Sequence, residues 1–378
     1  MKILHVIPYF TPKRGGDVNV CYNLSKHLIK KSHEVTIITT DFEFDEEYAK
    51  SIEGVNVIQF KCVANCGLFL YSPSMKKWLR DNVKNFDVVH LHNFRSYQNN
   101  VVYKYAKKYR IPYILQAHGS SLRIIEKQRL KKLYDWVWGY KILKDSSKLI
   151  AVSKVEVEQY KKIGVDDNKI VLIPNGLDVE RFKNLPKHGQ FREKHGIKEN
   201  HIILFLGRIH KIKGVDFLIK AFGSLVKEMD NVILVIAGPD DGYRKECEKL
   251  TKDLNLRDRV KFIGCVDNVA ETYQDTDVLI YPSIYEIFGL VPFEAIMCGT
   301  PVIVTDDCGC SELVKEAGCG YLVEYGDVND LEEKIKYLLK NPEEGTKMVK
   351  RGKRYVEENL TWDKVVKKVE EVYESCIP

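Results

Sequence analysis

The chain has 378 residues and a formal net charge of +6, with 44% hydrophobic and 30% charged residues. This composition is typical of a globular protein, and the length predicts about two to three domains that can each bury a core. No apolar run approaches the roughly 18 residues that a membrane-spanning helix needs. The N-terminal MKILHVIPYF has one charge and no cleavage-site pattern, so it is interpreted as a first strand and not as a signal peptide.

Ten cysteines are present, without a CxxC pair and without the Cys/His spacing of a metal site. Two close pairs, Cys62 with Cys66 and Cys308 with Cys310, are therefore interpreted as buried or incidental residues. Reduced thiols and the lack of a signal-peptide pattern together predict a cytoplasmic protein.

The charge is unevenly distributed along the chain. Residues 1–184 carry about 31 Lys or Arg against about 19 Asp or Glu, whereas residues 185–378 carry about 28 against about 34. A basic first half next to an acidic second half indicates different partners, and an anionic membrane surface or acceptor is a candidate for the first half. Nucleic acid is disfavoured because no known binding motif accompanies the charge.

Short apolar runs, separated by longer segments of helical period, follow one another along the first half of the chain. This rhythm predicts a parallel sheet wrapped by helices. The runs are Ile3–Ile7, Val35–Thr39, Val55–Phe60, Val88–Leu91, Tyr113–Gln116, Leu149–Val152 and Ile170–Ile173. Around residues 174–195 the pattern gives way to prolines, Asn175-Gly176 and polar residues, which predicts a linker with a hinge turn.

A second series of the same kind follows the linker and predicts a second parallel sheet. Its runs are Ile202–Leu206, Val232–Ala237, Val260–Ile263, Val278–Tyr281, Pro301–Val304 and Tyr321–Val323. The segment Thr361–Cys376 has an N-capping threonine and one apolar face, so it is predicted to be a helix. The predicted fold is α/β with two doubly wound, Rossmann-like domains, at residues 1–184 and 185–360, and a terminal helix at 361–378.

Two candidate sites follow strands of the first domain. Gly15-Gly16 comes after the first strand and before a helix that is predicted to start near Val18. It is either a simple turn or a loop whose backbone approaches a phosphate or an acceptor, and it is not a dinucleotide fingerprint because GxGxxG is absent. His118 follows the strand Tyr113–Gln116, at the edge where α/β sheets bind ligands.

Two further histidines, His90 and His92, lie near the end of the preceding strand. Together with His118 they could form a metal site, although a structural role for each is the more ordinary interpretation.

A basic and aromatic stretch, RIIEKQRLKKLYDWVWGYKILK at residues 123–144, has nine charged residues with a net charge of about +5. It also contains Tyr134, Trp136, Trp138 and Tyr140. It is either a packed helix with a solvated basic face or an interfacial element that docks on an anionic membrane.

In the second domain, GRIHKIKG places Arg208 and Lys213 directly after the strand Ile202–Leu206. Two cations at the carboxyl end of a strand can stabilise the negative charge that develops on a departing diphosphate, in place of a divalent metal. No cluster of carboxylates resembling DxD is evident, so we expect that no metal is required.

The most informative stretch is YPSIYEIFGLVPFEAIMCGTPV at residues 281–302, with Glu286 on a predicted loop and Glu294 on a predicted helix, Leu290–Met297. Phe288, Gly289 and Leu290 lie at the predicted helix start, where free N–H groups favour a phosphate. Carboxylates suit hydroxyl groups better than phosphates. A ligand that offers both groups is a nucleotide sugar.

This stretch matches the E-x-F-G-(x)4-E-A-x-x-x-G-x-P-V-I signature, so the chain resembles the GT4-like family of retaining GT-B glycosyltransferases. The resemblance covers essentially the whole chain. It implies two Rossmann-like domains that face a central cleft, with a terminal helix that crosses back to the first domain. One departure is Ile287, where the family commonly has a small residue.

The resemblance also implies roles for individual residues. Glu294 would bind the ribose hydroxyls and Glu286 the sugar hydroxyls, while the diphosphate would be held by Arg208, Lys213 and the backbone of residues 288–290. His118 would contact the donor sugar. The remaining donor-binding candidates are backbone positions, namely Gly16 in the glycine loop and Gly264 and Val266 under the nucleotide base.

The sequence thus predicts a retaining, metal-independent transferase that moves a hexose-type sugar from a UDP- or GDP-sugar to an acceptor hydroxyl. The acceptor would be a glycan, and a lipid-linked glycan in cell-surface polysaccharide or glycoprotein assembly is a candidate, with the enzyme peripheral on the inner face of the cell membrane. Two alternatives are a nucleotide-sugar-binding partner subunit without turnover and a GT-B epimerase.

Overall fold

The computed structural model describes residues 1–67, 69–121 and 128–377. The chain forms two compact units, of which unit 1 is Met1–Gly176 with Trp362–Pro378 and unit 2 is Leu177–Thr361. The predicted boundary after residue 184 differs from this division because Leu177 already forms a bridge with Thr361 and donates its N–H to the Leu360 oxygen at 2.7 Å.

Unit 1 is built on a parallel sheet with the strand order β3-β2-β1-β6-β7-β8-β9. Its strands are β1 (Lys2–Val6), β2 (Glu34–Thr40), β3 (Asn56–Phe60), β6 (Val88–His92), β7 (Tyr113–Gln116), β8 (Lys148–Ala151) and β9 (Ile170–Leu172), and β4 (Ala64–Cys66) and β5 (Phe69–Tyr71) form a separate antiparallel pair. Its helices are α1 (Gly16–Lys30), α2 (Glu46–Lys50), α3 (Pro73–Asn82), α4 (Tyr97–Tyr109), α5 (Gln128–Tyr134), α6 (Tyr140–Asp145) and α7 (Lys154–Lys162), with a π-helical segment at Asp135–Gly139 and 3-10 turns at Pro12–Arg14, Val83–Asn85 and Asp167–Lys169.

Unit 2 has a parallel sheet with the strand order β12-β11-β10-β13-β14-β15. Its strands are β10 (His201–Leu206), β11 (Val232–Ala237), β12 (Val260–Gly264), β13 (Val278–Tyr281), β14 (Val302–Thr305) and β15 (Gly320–Val323). Its helices are α8 (Gln190–His195), α9 (Val215–Leu225), α10 (Arg244–Asp253), α11 (Val269–Gln274), α12 (Val291–Cys298), α13 (Ser311–Ala317), α14 (Val328–Lys340) and α15 (Pro342–Asn359), with 3-10 turns at Val179–Phe182 and Lys211–Lys213.

The terminal helix, α16 (Trp362–Cys376), belongs to unit 1, where its apolar face packs against β1 and α1 in one buried cluster with Ile3 and Leu24. Gly176 is part of this contact, because a Cβ at that position would lie 2.5 Å from the Trp362 ring. The structure has no turn at Asn175-Gly176, and the glycine instead meets a packing requirement that the sequence did not reveal.

The predicted alternation of strands and helices is confirmed in both units, and each predicted apolar run contains a strand that is buried or partly buried. In each sheet the strand order reverses next to the first strand, between β1 and β6 in unit 1 and between β10 and β13 in unit 2. Crevices outside the carboxyl ends of strands at such a reversal are the usual ligand sites of open α/β sheets. Among the described residues, no helix has the length and apolar character to cross a membrane.

Candidate active site

The site in unit 2 is built from the loops that follow β10 and β13, the two strands at the reversal of the sheet. The first loop carries Lys213 and the second carries Glu286, and the Lys213 Nζ contacts the Glu286 Oε2. Only 8% of Lys213 is exposed, and Tyr281 donates its hydroxyl to the same carboxylate at 2.9 Å. Burial, followed by the charge of Glu286, raises the pKa of Tyr281 well above its ordinary value, so its hydroxyl stays protonated as a donor.

Two glycines let these loops approach each other. Gly214 has a φ of +66°, and a Cβ there would overlap the Pro282 carbonyl oxygen of the β13 loop. Gly309 donates its N–H to the Glu286 carbonyl oxygen at 2.8 Å, and a Cβ there would overlap the carbonyl of Ile287. Backbone packing on both sides therefore fixes the position of the Glu286 loop.

The loop runs directly into the N-terminus of α12. Leu290 is the N-cap residue, and Gly289 before it has a φ of +81°. Within the described part of the chain, the N–H groups of residues 288–290 donate to no backbone carbonyl. The end of the helix thus offers free donors and the positive end of the helix dipole, which suit an anion.

Glu294 lies in the first turn of α12, and its Oε2 accepts the Tyr273 hydroxyl at 3.4 Å. Burial raises the pKa of Glu294, and the positive charge of Arg181 opposes that shift. A carboxylate has about four acceptor positions, so Glu294 can accept further hydrogen bonds besides that of Tyr273.

The two predicted cations have different surroundings. Arg208 pairs with Asp241 at 2.5 Å, and 60% of its side chain is exposed, whereas 11% of the Lys213 side chain is exposed. Arg208 can therefore exchange its partner for a ligand with little rearrangement, while Lys213 already has its counter-charge within the protein.

The predicted base-contacting segment begins at Gly264, the last residue of β12. Gly264 has a φ of +71°, and its carbonyl accepts the Gly238 N–H at 2.7 Å. Val266 is partly exposed just after it.

In unit 1, His118 follows β7 in the left-handed region, with a φ of +50°, which is uncommon for a residue other than glycine. The next residue, Gly119, donates its N–H to Glu156 at 2.7 Å, and the other oxygen of Glu156 accepts the Val152 N–H at 2.9 Å. Glu156 is buried, which raises its pKa to about 7 against the pull of these two hydrogen bonds. Burial lowers the pKa of His118 to about 4, against the opposing charge of Asp17.

The glycine loop of unit 1 differs slightly from the prediction. Helix α1 begins at Gly16 and not near Val18, because Gly15, with a φ of +94°, ends the preceding 3-10 turn and allows the helix to start directly after it. A Cβ at Gly16 would meet no atom within 4 Å, so the space above it is open. Asp17 accepts hydrogen bonds from Tyr9 and Asn93, each at 2.7 Å.

The three histidines that suggested a metal site do not converge. His90 pairs with the Tyr373 hydroxyl at 2.6 Å, and His92 lies between His118 and His5. Among the described residues, the group that comes close enough to be considered for a metal ion is His5, Cys21 and His92, with ligand atoms within 4.8 Å of one another.

Sequence reasoning missed the partners of the candidate residues. They are Tyr281 beside Glu286, Tyr273 and Arg181 beside Glu294, Asp241 beside Arg208 and Glu156 behind His118. Ser153-x-x-Glu156 is a capping-box spacing and was available as a signal. Tyr281 opens the same stretch as Glu286, five residues before it, but no pattern marks it as a partner. Tyr273, Arg181 and Asp241 come from separate elements.

Two protein-family models match the chain. Glycosyltransferase Family 4 matches residues 14–181, and Glycosyl transferases group 1 matches residues 188–355. The uncharacterized glycosyltransferase MJ1178 of Methanocaldococcus jannaschii is 30% identical over 99% of this chain and 98% of its own. The N-acetyl-alpha-D-glucosaminyl L-malate synthase of Bacillus anthracis is 28% identical over 96% of this chain and 94% of its own.

Among solved structures, Alr3699/HepE of Anabaena in complex with UDP superposes with a TM-score of 0.81 at 19% identity, over 99% of this chain and 100% of the other. This likeness shows the GT-B fold. Because a relative at 30% identity spans almost the entire chain and both halves match the corresponding family models, the protein is a member of the group 1, GT4-like family of GT-B glycosyltransferases.

Proposed function

We propose that this glycosyltransferase moves a hexose-type sugar from a nucleotide diphosphate sugar, with UDP or GDP as the nucleotide, to an acceptor hydroxyl with retention of configuration. The observation that carries this proposal is the ion pair between the buried Lys213 and the partly buried Glu286, at the reversal of the unit 2 sheet. Beside it lie the N–H groups of residues 288–290, which donate to no backbone carbonyl of the described residues. A cation, a carboxylate and free backbone donors suit a ligand that has both phosphates and hydroxyls. The relative in complex with UDP supports a uridine nucleotide.

Each part of the donor is bound by different residues. Glu294 accepts the ribose hydroxyls, and Glu286 accepts hydroxyls of the sugar. The diphosphate lies on Lys213, Arg208 and the N–H groups at the start of α12. The backbone of Gly264 and Val266 contacts the base, and in unit 1 Gly16 and His118 contact the donor.

Transfer with retention follows if the acceptor attacks the face of the sugar from which the diphosphate leaves. The bond between the anomeric carbon and the phosphate oxygen breaks, the bond to the acceptor oxygen forms, and the departing phosphate takes up the acceptor proton. Arg208 and Lys213 stabilise the negative charge that grows on the phosphate oxygens, so no metal is required.

The ion pair between Lys213 and Glu286 has a consequence for binding. A bound diphosphate brings negative charge close to the Lys213 ammonium and competes with the Glu286 carboxylate for it. Glu286 is thereby released to accept sugar hydroxyls. The pair thus holds the Glu286 carboxylate in place before the donor arrives, which lowers the reorganisation that binding of the sugar requires.

Calorimetry on two alanine variants tests this division. Glu294→Ala should weaken binding of the free nucleoside diphosphate and of the nucleotide sugar, whereas Glu286→Ala should weaken only the nucleotide sugar. Hydrogen bonds to a charged group contribute about 1.5 to 3 kcal/mol, so each loss should be about tenfold or more. Glu246→Ala, at an exposed position of α10, is the matched control. Equal losses for both ligands in both variants would show that the roles are wrongly assigned.

For the acceptor, we propose a lipid-linked glycan. Unit 1 docks on an anionic bilayer, and the enzyme transfers the sugar to a glycan anchored there. The basic and aromatic stretch of residues 123–144 is described only from residue 128, so residues 123–127 lie outside the described part of the chain. In the described part, Trp136 is 75% exposed, Leu130 58% and Leu133 57%, and Trp138 and Tyr140 are also exposed.

Tyr134 differs from the other aromatic residues of this stretch, because it turns inward and donates its hydroxyl to Asn100 at 2.6 Å. The packed-helix interpretation therefore holds for Tyr134 and not for the two tryptophans. Four exposed cations flank the apolar residues, namely Arg129, Lys132, Lys141 and Lys144. This is the composition of an interfacial helix, in which apolar side chains enter the headgroup region and cations bind anionic lipid.

Cosedimentation with vesicles tests the docking surface. Binding should require anionic lipid, fall between low and physiological salt because the attraction is screened, and drop in Trp136→Ser and in the double variant Arg129→Ser/Lys132→Ser. Tyr337→Ser is the matched control, because Tyr337 is a large side chain in unit 2 that is 48% exposed. Binding that is indifferent to lipid charge, salt and these variants would favour a soluble acceptor, such as the malate in the name of one relative.

A further inference from the structure

Three histidines of unit 1 form a chain of hydrogen bonds that begins at His118 and ends in the core. His118 Nε2 lies 3.1 Å from His92 Nδ1, and His92 Nε2 lies 2.8 Å from His5 Nδ1. The rings of His118 and His92 are stacked at 5.4 Å, and those of His92 and His5 at 5.1 Å. The chain crosses the adjacent strands β7, β6 and β1, and both His92 and His5 are fully buried.

All three imidazoles are neutral near pH 7. Burial lowers the pKa of His5 to about 3 and that of His118 to about 4, and it places the pKa of His92 well below its ordinary value. A neutral imidazole has one N–H group and one acceptor nitrogen. His92 must therefore accept at one nitrogen and donate at the other, so both hydrogen bonds run in the same direction.

Two directions are possible, and they differ at the ends. If the bonds run inward, every proton lies on Nε2, and His5 then has a buried N–H group. If they run outward, every proton lies on Nδ1, and His118 then presents an N–H group at the free side of its ring. The direction of the hydrogen bonds therefore depends on which end, His5 or His118, can better accommodate an N–H group without a partner in the row of histidines.

Both ends favour the outward direction. His5 Nε2 is buried and has no hydrogen-bond partner among the described residues, and a buried N–H group without an acceptor is rarer than an unpaired acceptor. At the other end, His118 is partly exposed, so a free N–H group there can donate to solvent or to a ligand. The outward direction also places the positive end of the chain dipole at His118.

A metal ion bound by both His92 and His5 explains the distance between their nitrogens less well than a hydrogen bond does. Two imidazole nitrogens bound to one tetrahedral zinc at 2.0–2.1 Å are about 3.3 Å apart. The distance of 2.8 Å between His92 and His5 is instead that of a hydrogen bond. Cys21, the third residue of this group, is buried in α1, and burial raises the pKa of its thiol, which keeps it protonated.

We propose that His5 and His92 are positioning residues that hold His118 in the Nδ1–H tautomer, so that His118 donates a hydrogen bond to an oxygen of the bound substrate and does not act as a base. The second half of this statement rests on the proposed contact between His118 and the donor. The three histidines do not conduct protons, since His5 Nε2 at the inner end has no partner among the described residues from which a proton could enter. It is a fixed dipole that strengthens the outer donor, because successive hydrogen bonds polarise one another.

Tautomers are read directly by long-range ¹H–¹⁵N correlation spectra of the full chain labelled with ¹⁵N-histidine. The wild-type protein should show the proton on Nδ1 in His5, His92 and His118 alike. His92→Leu should release His118 to a mixture or to the Nε2–H form. His90→Leu is the matched control, because His90 is equally buried and stacks on His92 at 4.4 Å but bonds to Tyr373 instead.

Activity then tests the donor role separately. An asparagine amide nitrogen takes the place of Nδ1, and a glutamine amide nitrogen takes that of Nε2. His118→Asn should therefore retain a kcat about tenfold higher than His118→Gln, which is the value of one hydrogen bond. Three results would refute the proposed hydrogen-bonded histidines. They are Nε2–H tautomers in the wild-type spectrum, an unchanged His118 tautomer in His92→Leu, and stoichiometric zinc in the purified protein. The wild-type spectrum decides the direction even if His92→Leu does not fold. Equal activity of the two His118 variants, with the expected spectra, would instead refute the proposed contact with the donor.

Discussion

The buried histidines make the stability of unit 1 sensitive to acid. For His5, the folded pKa of about 3 lies below the unfolded value of about 6.5, so between these pH values the unfolded chain binds a proton that the folded chain does not. The stabilising contribution is therefore fully present above about pH 6.5 and is lost as the pH falls. Between pH 8 and pH 5 this single group should reduce the free energy of unfolding by about 2 kcal/mol.

Other groups titrate in the same range, so the prediction concerns a difference between proteins. The pKa values of His90, His92 and His118 are lowered like that of His5. The pKa of Glu156 is raised, so its contribution to the free energy of unfolding is lost as the pH rises. These contributions cancel when wild type is compared with His5→Leu at each pH. The variant is destabilised at pH 8 by the lost hydrogen bond to His92, and that deficit should shrink by about 2 kcal/mol at pH 5.

Urea unfolding followed by tryptophan fluorescence is the suitable assay, because all four tryptophans of the chain, Trp78, Trp136, Trp138 and Trp362, belong to unit 1. His188→Leu is the control, since His188 lies in unit 2 with 78% of its side chain exposed. A deficit of His5→Leu that is the same at pH 8 and pH 5 would refute the assignment of His5 as a buried, neutral histidine.

Three further outcomes are expected. Arg208→Ala and Lys213→Ala should each lower kcat by on the order of a hundredfold, and steady-state kinetics with full activity in both would contradict the diphosphate assignment. Activity should persist in excess EDTA, so a strict requirement for Mg²⁺ or Mn²⁺ would show that a metal and not these cations stabilises the leaving group. Gly309→Ala should displace the Glu286 loop, because the new Cβ overlaps the Ile287 carbonyl, and donor binding measured by calorimetry should be lost while unit 1 unfolds as in wild type.

The fold could be predicted from the sequence because it depends on a simple pattern. Parallel strands that are buried on both faces give short apolar runs, and each such run in this chain forms a strand. The domain boundary was less predictable, since Leu177 joins unit 2 through a pairing with Thr361 that is remote in sequence. The chain changes unit between Gly176 and Leu177, inside the predicted linker of residues 174–195, but the polar composition of that linker does not single out the residue at which the change occurs.

The candidate site was predictable where its residues form a contiguous motif. Glu286, Gly289 and Glu294 lie on the expected loop and helix for this reason. The contact between Lys213 and Glu286 was not predicted, because it joins loops that are separated by more than 70 residues and depends on close backbone approach at Gly214. The bonding of His5 to His92 was hidden for the same reason, because the two residues lie on neighbouring strands of the sheet.

The central claim is that this chain breaks the bond between a sugar and a nucleoside diphosphate with the groups held around α12. The most direct test is the release of nucleoside diphosphate by the purified full chain from a panel of UDP-, GDP- and ADP-sugars, with candidate acceptors, in EDTA. We predict release from one class of donor in the wild type, with release reduced by on the order of a hundredfold in Lys213→Ala. Release that is equally fast in Lys213→Ala, or absent for every donor that the protein binds, would contradict the account.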